Sequence, residues 1–448
     1  MRVLLFNTKS ISKKKCINKD LAGGMGTGTW VGESLRARLF EYIKIKNVIL
    51  PEISTVYLIS IFKKAGWEVK FIDLADGKHI PKEKADLALL STSIVDCKHE
   101  LMVVKALKER GYYVGVYGTF VSAVPEFFAE SVDFIIRGEP ESGALNIIAG
   151  NKRPQGIVNV DPVKNLDALP YPDWSQSPIH KFSYFPALHT HPTLVMLSSR
   201  GCPHSCSYYC TYPINSGKDW RSRSVENVIG EMEYLKKDYG VGGIHFRDPI
   251  FTLDQERIHT FAEELIHKRL DIPWSCETRV DCLEKGLLRK MRKAGLRHLN
   301  MGIESSNGGI LKKNGRLPAK FAHQEEIISF CHKMGITVAA FYILGLPGDA
   351  EQTIKQTIDY AKRLNTLVAQ FGISTPYPGT PFFGQLQNEK KITSWDWDQY
   401  DSFTPVFKHP TLTHDHLLSL KESAFVSYYF RIPYLFRHLP LLFWKKFQ

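Results

Sequence analysis

Short apolar runs alternate with amphipathic stretches over the first 150 residues, a pattern typical of strands and helices that follow one another in turn. The segments 54–65 and 99–110 are predicted as helices with one apolar face. The predicted strands lie at 2–6, 67–72, 87–93, 112–118 and 132–139. Strands that alternate with helices predict an α/β domain with a parallel, doubly wound sheet over residues 1–150.

Small and polar residues follow three of these predicted strands. Open parallel sheets bind ligands beyond the carboxyl ends of their strands. The candidates for such contacts are Ser91, Thr92, Ser93, Gly118, Thr119, Gly138 and Glu139. The glycine-rich segment 23–28 has the wrong spacing for a dinucleotide fingerprint and lies too far beyond the first strand. We interpret it as a loop that is mobile or covers a ligand.

A second alternating series follows residues 151–190, which are rich in Pro, Asp and polar residues and are interpreted as an extended linker. Its predicted strands lie at 193–199, 242–248, 274–280, 298–304, 337–345 and 367–374. These strand–helix units over 191–385 predict a partial or full (β/α)6 barrel of the TIM type. In such barrels the chemistry lies at the carboxyl ends of the strands.

Residues 386–448 break the alternation and predict a small, α-rich C-terminal region. Thr413 is placed to cap a helix that runs to about residue 431. Residues 428–448 combine many aromatic residues with four cations and two prolines, and they include no acidic residue. Such a segment either covers the open side of the barrel or lies on an anionic membrane surface.

The composition is that of a globular protein, with 44% hydrophobic and 23% charged residues. No uncharged apolar run approaches the roughly 18 residues that a spanning helix needs, and the apolar run at the N-terminus is too short for a signal peptide. The net charge of +12 favours anionic partners, but no RNA-binding module is recognisable. We therefore expect a cytoplasmic protein, free or peripheral to the membrane, that does not bind nucleic acid.

Three of the eight cysteines lie in the segment SSRGCPHSCSYYCTYP, at Cys202, Cys206 and Cys210. The segment follows the first predicted barrel strand, so this loop belongs to the chemical face of the barrel. Structural zinc sites take four protein ligands, whereas an iron–sulfur cluster on three cysteines leaves one iron open to a substrate or cofactor. Zinc, with His204 as the fourth ligand, and a loop without metal remain alternatives.

Together with its neighbours, this segment resembles the radical S-adenosylmethionine (SAM) enzymes of the cobalamin-binding branch. The similar motifs in the second series are RGCPHSC, RSRSVENV, FRDPIF, TRVD, AGLRHLNMGIESSN, LGLPGD and TPYPGTPF, and those in the first are residues 51–73, 116–126 and 135–141. The family spacing is C-x3-C-x2-C, but this sequence reads C-x3-C-x3-C. An added residue in an extended loop moves the third thiol by up to about 3.5 Å. The loop therefore bulges, or the site is degenerate.

The resemblance implies a [4Fe-4S] cluster on the three cysteines, with SAM bound to its open iron. Asp248 matches the acidic residue that faces the methionine amino group, while Glu304 and Arg279 are candidates for the ribose and the carboxylate. Two structural alternatives compete with these roles. Asp248 can cap a turn through backbone amides, and Glu304 and Arg279 can pair with each other.

The adenine of SAM has three candidate contacts in the same resemblance. Tyr209 matches the aromatic residue whose backbone meets the adenine, and Leu346 and Pro347 would line its pocket. Tyr209 can also be a packing residue only.

The resemblance further implies cobalamin on the first domain, at the strand-end residues given above, although a D-x-H-x-x-G motif is absent. The expected reaction is methylation of an unactivated centre in a small-molecule or lipid-like substrate, with electrons from a donor such as flavodoxin or ferredoxin. Two hypotheses compete with it. One is a radical SAM enzyme without cobalamin that catalyses cyclisation, oxidation or rearrangement, and the other is a non-catalytic metal-binding protein with a degenerate cysteine loop.

Overall fold

Two parallel sheets of six strands each make up most of the strand structure in the described part of the chain. The computed structural model describes residues 1–8, 19, 22–74, 80, 82–150 and 152–443. The strands of the first sheet are β1 (Arg2–Thr8), β2 (Glu68–Leu74), β3 (Leu87–Ser91), β4 (Val114–Tyr117), β5 (Phe134–Arg137) and β6 (Gly156–Asn159). Their order is β2-β1-β3-β4-β5-β6 with every pair parallel, which confirms the predicted doubly wound sheet.

Helices cover both faces of the first sheet and the outside of the second. Over the described residues they are α1 (Leu35–Asn47), α2 (Ile53–Lys64), α3 (Cys97–Glu109), α4 (Thr119–Ala123), α5 (Pro140–Ala149), α6 (Tyr212–Ser216), α7 (Val225–Tyr239), α8 (Gln255–Lys268), α9 (Lys285–Lys293), α10 (Gly308–Lys313), α11 (Phe321–Lys333), α12 (Glu351–Leu364), α13 (Pro381–Asn388), α14 (His414–Tyr429) and α15 (Ile432–Phe443).

The two faces of the first sheet belong to two different hydrophobic cores. In β1, Val3 and Leu5 pack into one core, and Leu4 and Phe6 pack into the other. A strand that is buried on both faces has no polar face to present, because side chains alternate between the faces. This is why the strands of the first sheet appear in the sequence as short, continuous apolar runs.

The first sheet extends beyond the predicted boundary at residue 150. Strand β6 lies inside the segment 151–190 that was interpreted as a linker, and it pairs with β5 at the edge of the sheet. Its residues are mostly exposed. A short edge strand of this kind carries no buried apolar pattern, so its sequence gives little sign of it.

The second sheet is the predicted partial barrel. Its strands are β7 (Thr193–Met196), β8 (Gly243–Phe246), β9 (Trp274–Thr278), β10 (Leu296–Glu304), β11 (Thr337–Leu344) and β12 (Val368–Ile373). They are parallel and follow in the order β12-β11-β10-β9-β8-β7, so β7 and β12 are the two edges. Six strands therefore form an open barrel.

Helices α1 and α14 lie along the edge strand β12. The hydroxyl of Tyr429 accepts the N–H of Ala369 at 2.9 Å and donates to the carbonyl of the same residue at 3.0 Å. From α1, Lys44 donates to the Gln370 side chain at 3.0 Å. Thr413 caps α14 as predicted, since its hydroxyl accepts the N–H of His416. These contacts agree with the interpretation of the C-terminal region as a cover for the barrel.

Among the described helices, none combines the length and the hydropathy that crossing a bilayer would require.

Candidate functional site between the two sheets

The cysteine loop follows β7. The part of the loop that contains the added residue forms a helical turn. The N–H of Cys210 donates to the carbonyl of Cys206 at 3.0 Å, an i to i+4 hydrogen bond, while the N–H of Cys202 donates to Gly217 at 3.3 Å. Residues four apart on a helical turn lie on the same side of it. The C-x3-C spacing therefore keeps Cys206 and Cys210 on one side of the loop, and both alternatives, a loop that accommodates a cluster and a degenerate site, stay predictions.

The three thiols lie close enough to influence one another. Burial raises the pKa of Cys210 to about 12, and the neighbouring Cys206 and Cys202 raise it further. Burial also raises the pKa of Cys206, whereas Arg316 and Arg279 lower it. Thiols with raised pKa values become thiolates when a metal supplies positive charge. In the described ranges, no three His, Cys, Asp or Glu side chains are arranged so that they could hold a metal ion.

Tyr208 and Tyr209 differ sharply in their surroundings. Tyr208 donates to the Gln385 side chain at 2.7 Å and packs against Phe382, so it is a packing residue. The hydroxyl of Tyr209 is buried without a hydrogen-bond partner among the described residues. Its pKa is raised well above the usual value by burial and by the nearby Glu304, while Arg316 lowers it. An orphaned buried hydroxyl beside the cysteine loop indicates a place for a polar ligand group.

Glu304 ends β10 in a strained conformation. Its φ is +66°, in the left-handed region, and the pairing of β10 with β11 shifts register between Gly302 and Glu304. Glu304 forms an ion pair with Arg316 at 3.4 Å. A glutamate in the left-handed region costs free energy, and such strain clusters at functional sites.

Arg279 does not pair with Glu304. Its guanidinium forms two hydrogen bonds to Asp281, at 2.9 and 2.7 Å, and one to the carbonyl of Leu317. The alternative in which Arg279 and Glu304 neutralise each other across the barrel is therefore wrong, and each residue has a partner of its own. Their proposed contacts with SAM stay predictions.

Asp248 is fully buried and bonded to the loop after β7. Its carboxylate accepts the N–H of Ser198 at 2.8 Å and the hydroxyls of Ser198 and Ser199, both at 2.6 Å. Burial raises the pKa of Asp248, and these hydrogen bonds oppose that rise. In this arrangement Asp248 anchors the start of the cysteine loop, as the structural alternative required. A role toward the SAM amino group stays a prediction.

Leu346 and Pro347 lie in a tight turn after β11. The carboxylate of Asp349 accepts the N–H groups of Gly345 and Leu346, at 3.1 and 3.0 Å. Leu346 is buried and packs with Ile310, Leu311 and Ile343. The turn therefore presents a fixed apolar wall at the carboxyl end of the barrel.

The residues after β3 already have partners within the protein. Ser91 donates to Glu52, Thr92 donates to the carbonyl of Tyr117, and Ser93 donates to Glu100. Lys19 reaches into the same cluster, 2.8 Å from Glu100. These residues lie at the carboxyl edge of the sheet, where the sequence predicted them. Their hydroxyls form hydrogen bonds within the protein that hold this edge together.

Gly118 and Gly138 are backbone positions that a side chain could not share. Both have positive φ, at +129° and +121°, and an added Cβ would lie 2.6 Å from the carbonyl of Thr92 or 2.8 Å from that of Val160. These glycines therefore allow close approach between neighbouring strand ends. The next residues, Thr119 and Glu139, reach further out and line a cleft.

That cleft lies between the carboxyl edges of the two sheets and encloses a volume of about 110 Å³. Residues of the barrel that line it are Leu197, Ser199, Arg200, Tyr212, Asn215, Ser216, Arg247 and Pro249. Ion pairs join the edges, because Arg200 forms a bidentate pair with Glu141 at 2.9 and 2.8 Å and lies 3.4 Å from Glu139, which also pairs with Arg221 at 2.7 Å.

The glycine-rich segment covers this cleft, which agrees with its interpretation as a covering loop. Gly23 and Gly24 line the cleft, and the carbonyl of Gly23 accepts the Thr119 hydroxyl at 2.8 Å. A Cβ on Gly23 would lie 2.4 Å from the hydroxyl oxygen of Thr211. The segment thus touches both domains at a distance that only glycine permits.

Sequence reasoning missed a charged group on the cleft floor. Arg247 and Glu277 form a buried ion pair, Tyr212 donates to Glu277 at 3.2 Å, and His245 lies 3.5 Å from it. Burial alone would raise the pKa of Glu277, but Arg247 and His245 lower it to about 2. Arg247 directly precedes Asp248 of FRDPIF, and Glu277 directly precedes Thr278 of TRVD. Both residues therefore lie at predicted strand ends, and this position could have identified them.

Arg316 was also missed. It follows α10, donates to the carbonyl of Gly302 and faces both Glu304 and Cys206. No strand-end rule points to it, because it reaches the site from a loop.

Known proteins share these features. The profile of the radical SAM superfamily matches residues 196–361. An uncharacterised methyltransferase of Pyrococcus horikoshii is 28% identical over 413 residues, which cover 85% of this chain and 88% of that protein. A second relative is an anaerobic magnesium-protoporphyrin IX monomethyl ester cyclase of Rubrivivax gelatinosus. It is 26% identical over 424 residues, which cover 86% of this chain and 75% of that protein.

A solved structure has the same fold. The radical SAM methyltransferase TsrM of Kitasatospora setae, solved with cobalamin and a [4Fe-4S] cluster, superimposes with a TM-score of 0.64 at 14% identity. The match covers 87% of this chain and 75% of that chain. The order of a first parallel sheet and a six-stranded open barrel is therefore that of a known enzyme architecture.

Proposed function

We propose that this chain is a cobalamin-dependent methyltransferase of the radical SAM superfamily, because the profile of that superfamily matches residues 196–361 and the fold is that of a solved methyltransferase with cobalamin bound. The observation that carries the proposal is the cleft in which the carboxyl edges of both sheets meet, lined on the barrel side by Ser199, Arg200 and Tyr212, which flank the cysteine loop. In parallel sheets of both kinds this edge is where ligands bind. A reaction that needs two cofactors at one substrate requires such a shared space.

The three cysteines would hold a [4Fe-4S] cluster. Supporting features are the placement of Cys206 and Cys210 on one side of the loop and the two arginines, Arg316 and Arg279, whose charge favours thiolates. We expect cluster binding to draw the thiol of Cys202 toward the other two. When bound, the cofactors supply reductive cleavage of SAM to a 5′-deoxyadenosyl radical and methyl transfer through cobalt.

SAM would lie between the cysteine loop and the ends of β10 and β11. The polar groups of SAM would meet the Tyr209 hydroxyl, which has no partner among the described residues, and the carboxylate of Glu304, whose backbone is strained. The adenine would lie against Leu346 and Pro347. Arg279 would have to share its guanidinium with Asp281, and Asp248 would have to release a serine hydroxyl. Both changes are exchanges of hydrogen bonds rather than losses.

Cobalamin would lie on the first-sheet side of the cleft. Thr119 and Glu139 line that side directly, and Gly23 and Gly24 cover it. The hydroxyls of Ser91, Thr92 and Ser93 would join the contacts only by exchanging their present bonds. A corrin ring with its nucleotide is large, so we expect the covering loop to move outward when it binds.

The substrate would be a small or lipid-like molecule that meets Tyr212, Asn215 and Arg247 on the cleft floor. The buried pair of Arg247 and Glu277 fixes the orientation of this floor, because each residue neutralises the other. Electrons would come from a one-electron donor such as flavodoxin or ferredoxin.

The test uses full-length protein reconstituted anaerobically with iron, sulfide and hydroxocobalamin. We expect a four-iron electron paramagnetic resonance signal that changes shape when SAM is added, together with the visible absorption of bound cobalamin. Cys210→Ala should lose the iron signal. Cys331→Ala, which removes a buried core thiol on α11, should keep it. A cluster that persists in Cys210→Ala, or one that ignores SAM in the parent protein, would overturn the assignment.

A cyclase is the second candidate, because the Rubrivivax gelatinosus relative carries that name. The two reactions use SAM differently. A methyltransferase consumes the methyl group of SAM and releases S-adenosylhomocysteine, whereas a radical cyclisation has no need to. Formation of cobalamin-dependent S-adenosylhomocysteine from SAM labelled in its methyl group supports methyl transfer, and its absence beside 5′-deoxyadenosine formation supports cyclisation.

A further inference from the structure

Helix α1 turns an apolar face outward. Leu35, Leu39 and Tyr42 lie along one side of the helix at spacings of four and three residues, with exposed fractions of 86%, 50% and 57%. The opposite side is the one that packs, because Ala37 is buried and Phe40 stacks on Tyr429 at 4.4 Å. Surface helices normally turn their polar side to water, but α1 exposes these large apolar side chains together with Arg36, Arg38 and Lys46.

Helix α15 exposes a second apolar group. Ile432 and Phe436 are four residues apart on one side of α15, with exposed fractions of 69% and 82%, and Leu435 lies between them. Tyr434, on the other side, is buried and donates to the carbonyl of Leu367. On α15, too, the buried side includes a polar group, the Tyr434 hydroxyl, while large apolar side chains are exposed to solvent.

The two helices belong to one face. The guanidinium of Arg36 on α1 lies 5.6 Å from the ring centre of Phe430, which is the C-cap of α14, two residues before α15. Ten of the sixteen exposed large hydrophobic residues among those described fall within residues 35–49 and 430–436, and we name the surface of these two segments the α1–α15 face: Leu35, Leu39, Tyr42, Ile43, Ile45, Ile49, Phe430, Ile432, Leu435 and Phe436. Apolar groups of this size on a water-exposed surface mark an interaction site.

The charges beside the α1–α15 face are mainly positive, although Arg38 is paired at 2.7 Å with the exposed Glu33 just before α1. Arg36, Arg38, Lys46 and Arg437 are exposed on the two helices. The one acidic residue of α1, Glu41, is turned toward the backbone N–H groups of Val31 and Gly32. By sequence, residues 428–448 add two further lysines and no acid. Cations around exposed apolar side chains are complementary to the headgroups of anionic lipids.

We propose that the α1–α15 face binds the surface of an anionic membrane, with its apolar side chains in the interface and its cations at the headgroups. The helices would lie along the surface, since each presents its apolar residues from one side. The inference does not depend on the proposed function, because it concerns the outer surface of the barrel cover. The face is separate from the cleft, apart from the chain connection between Gly24 and Leu35.

The experiment is flotation of the full-length protein, without added cofactors, on two kinds of vesicle. One contains phosphatidylcholine with about a third phosphatidylglycerol, and the other contains phosphatidylcholine alone. We expect binding to the anionic vesicles that falls at least tenfold as NaCl rises from low to high concentration. The double variants Leu35→Glu/Leu39→Glu and Ile432→Glu/Phe436→Glu should each weaken binding at least tenfold.

Met102→Glu is the matched control, because Met102 is 58% exposed but lies on α3, away from this face. It should bind like the parent protein, and all variants should keep the parent melting temperature because the changed side chains are exposed. Three results would overturn the proposal. They are no binding to anionic vesicles, equal binding to both vesicle types at all salt concentrations, and a soluble dimer that the α1 and α15 variants break without any vesicle binding.

Discussion

The carboxyl edges of the two sheets face each other across one cleft, but they are built differently. At the first sheet, Ser91 and Ser93 are bonded to carboxylates, and Lys19 neutralises them from within. At the barrel, the Tyr209 hydroxyl has no hydrogen-bond partner among the described residues, Glu304 has a strained backbone, and Cys206 and Cys210 lie on one side of their loop. The first edge is mostly satisfied by its own protein, although one carboxylate oxygen of Glu52 has no hydrogen-bond partner among the described residues. The barrel edge leaves polar groups for a ligand to complete.

This difference separates stability from chemistry. A closed set of buried charges resists change, since removing one partner leaves the others uncompensated. An edge with unpartnered polar groups and a strained backbone is less stable without a ligand, and a bound ligand can satisfy those groups. Changes at the first edge should therefore unfold the protein before they alter its reaction, and changes at the second should do the opposite.

The largest expected effect is the loss of the Lys19 charge. Lys19→Met leaves Glu100 and its carboxylate neighbours Glu52 and Asp96 buried without their cation. We expect the free energy of unfolding in urea to fall by about 3–5 kcal/mol. Lys64→Met, at an exposed position of α2, should change it by less than about 0.5 kcal/mol. A Lys19 variant as stable as its Lys64 control would mean that the first edge is not held by this charge.

The two edges should also respond to pH in opposite directions. At the barrel, the pKa of Glu277 is about 2 in the folded protein, below its unfolded value. Its contribution is therefore present above about pH 4.5 and is lost as the pH falls toward 2, up to about 3 kcal/mol in total. Urea unfolding from pH 3 to 6 should show this loss in the parent protein and a weaker one in Glu277→Gln.

At the first edge, burial raises the pKa of Glu100 to about 7, although Lys19 opposes the rise. A carboxyl with a raised folded pKa binds its proton more tightly in the folded state. Stability from Glu100 therefore falls as the pH rises from about 4.5 to 7. Glu100→Gln should flatten the stability curve in this window, whereas Glu277→Gln should not. Equal curves for the two variants would remove the contrast between the edges.

Glu304 tests the barrel edge for chemistry. Glu304→Gln removes a charge that we assign to SAM binding, and a hydrogen bond to a charged group is worth about 1.5–3 kcal/mol. Cleavage of SAM should therefore slow by about ten- to a hundredfold, and the melting temperature should fall only as far as the lost ion pair with Arg316 requires. Glu351→Gln, at an exposed ion pair on α12, is the control and should keep full activity. If Glu304→Gln retains activity but unfolds more easily, the strain at this residue serves the fold alone.

The smallest expected effect concerns left-handed residues outside the site. Arg269 ends α8 with a φ of +51° and is exposed. Glycine adopts this conformation without strain, so Arg269→Gly should stabilise the protein by about 0.5–1 kcal/mol with unchanged activity. Calorimetry would detect the increase in melting temperature. No increase would mean that left-handed strain is small in this protein, and the argument from Glu304 would weaken with it.

The sequence predicted what is local or periodic. Strand β3 is a continuous apolar run, and Thr413 stands where a helix cap belongs. The position of the cysteine loop followed from the barrel rule alone. Strand β6 escaped prediction because it is a short, exposed edge strand. Helix α1 was not predicted, since its apolar residues face water and its packing side is partly polar.

Partnerships between distant residues could not be predicted. Ser91 bonds to Glu52, Arg316 reaches Glu304, and Arg279 chooses Asp281 over Glu304. Each outcome depends on the path of a loop that the sequence pattern does not encode. For the same reason, the sequence could not show that Ser91, Thr92 and Ser93 are bonded within the protein, and their contacts with a ligand stay predictions.

Any form of this protein that ends before α14 would leave strand β12 with an uncapped border. The hydroxyl of Tyr429 now occupies both the N–H and the carbonyl of Ala369 on that border. Without it, the strand could recruit an extended segment of another molecule, the usual start of aggregation by strand addition. A recombinant protein that lacks these helices should therefore precipitate instead of yielding an isolated barrel. The C-terminal helices thus keep the barrel soluble by covering its edge strand.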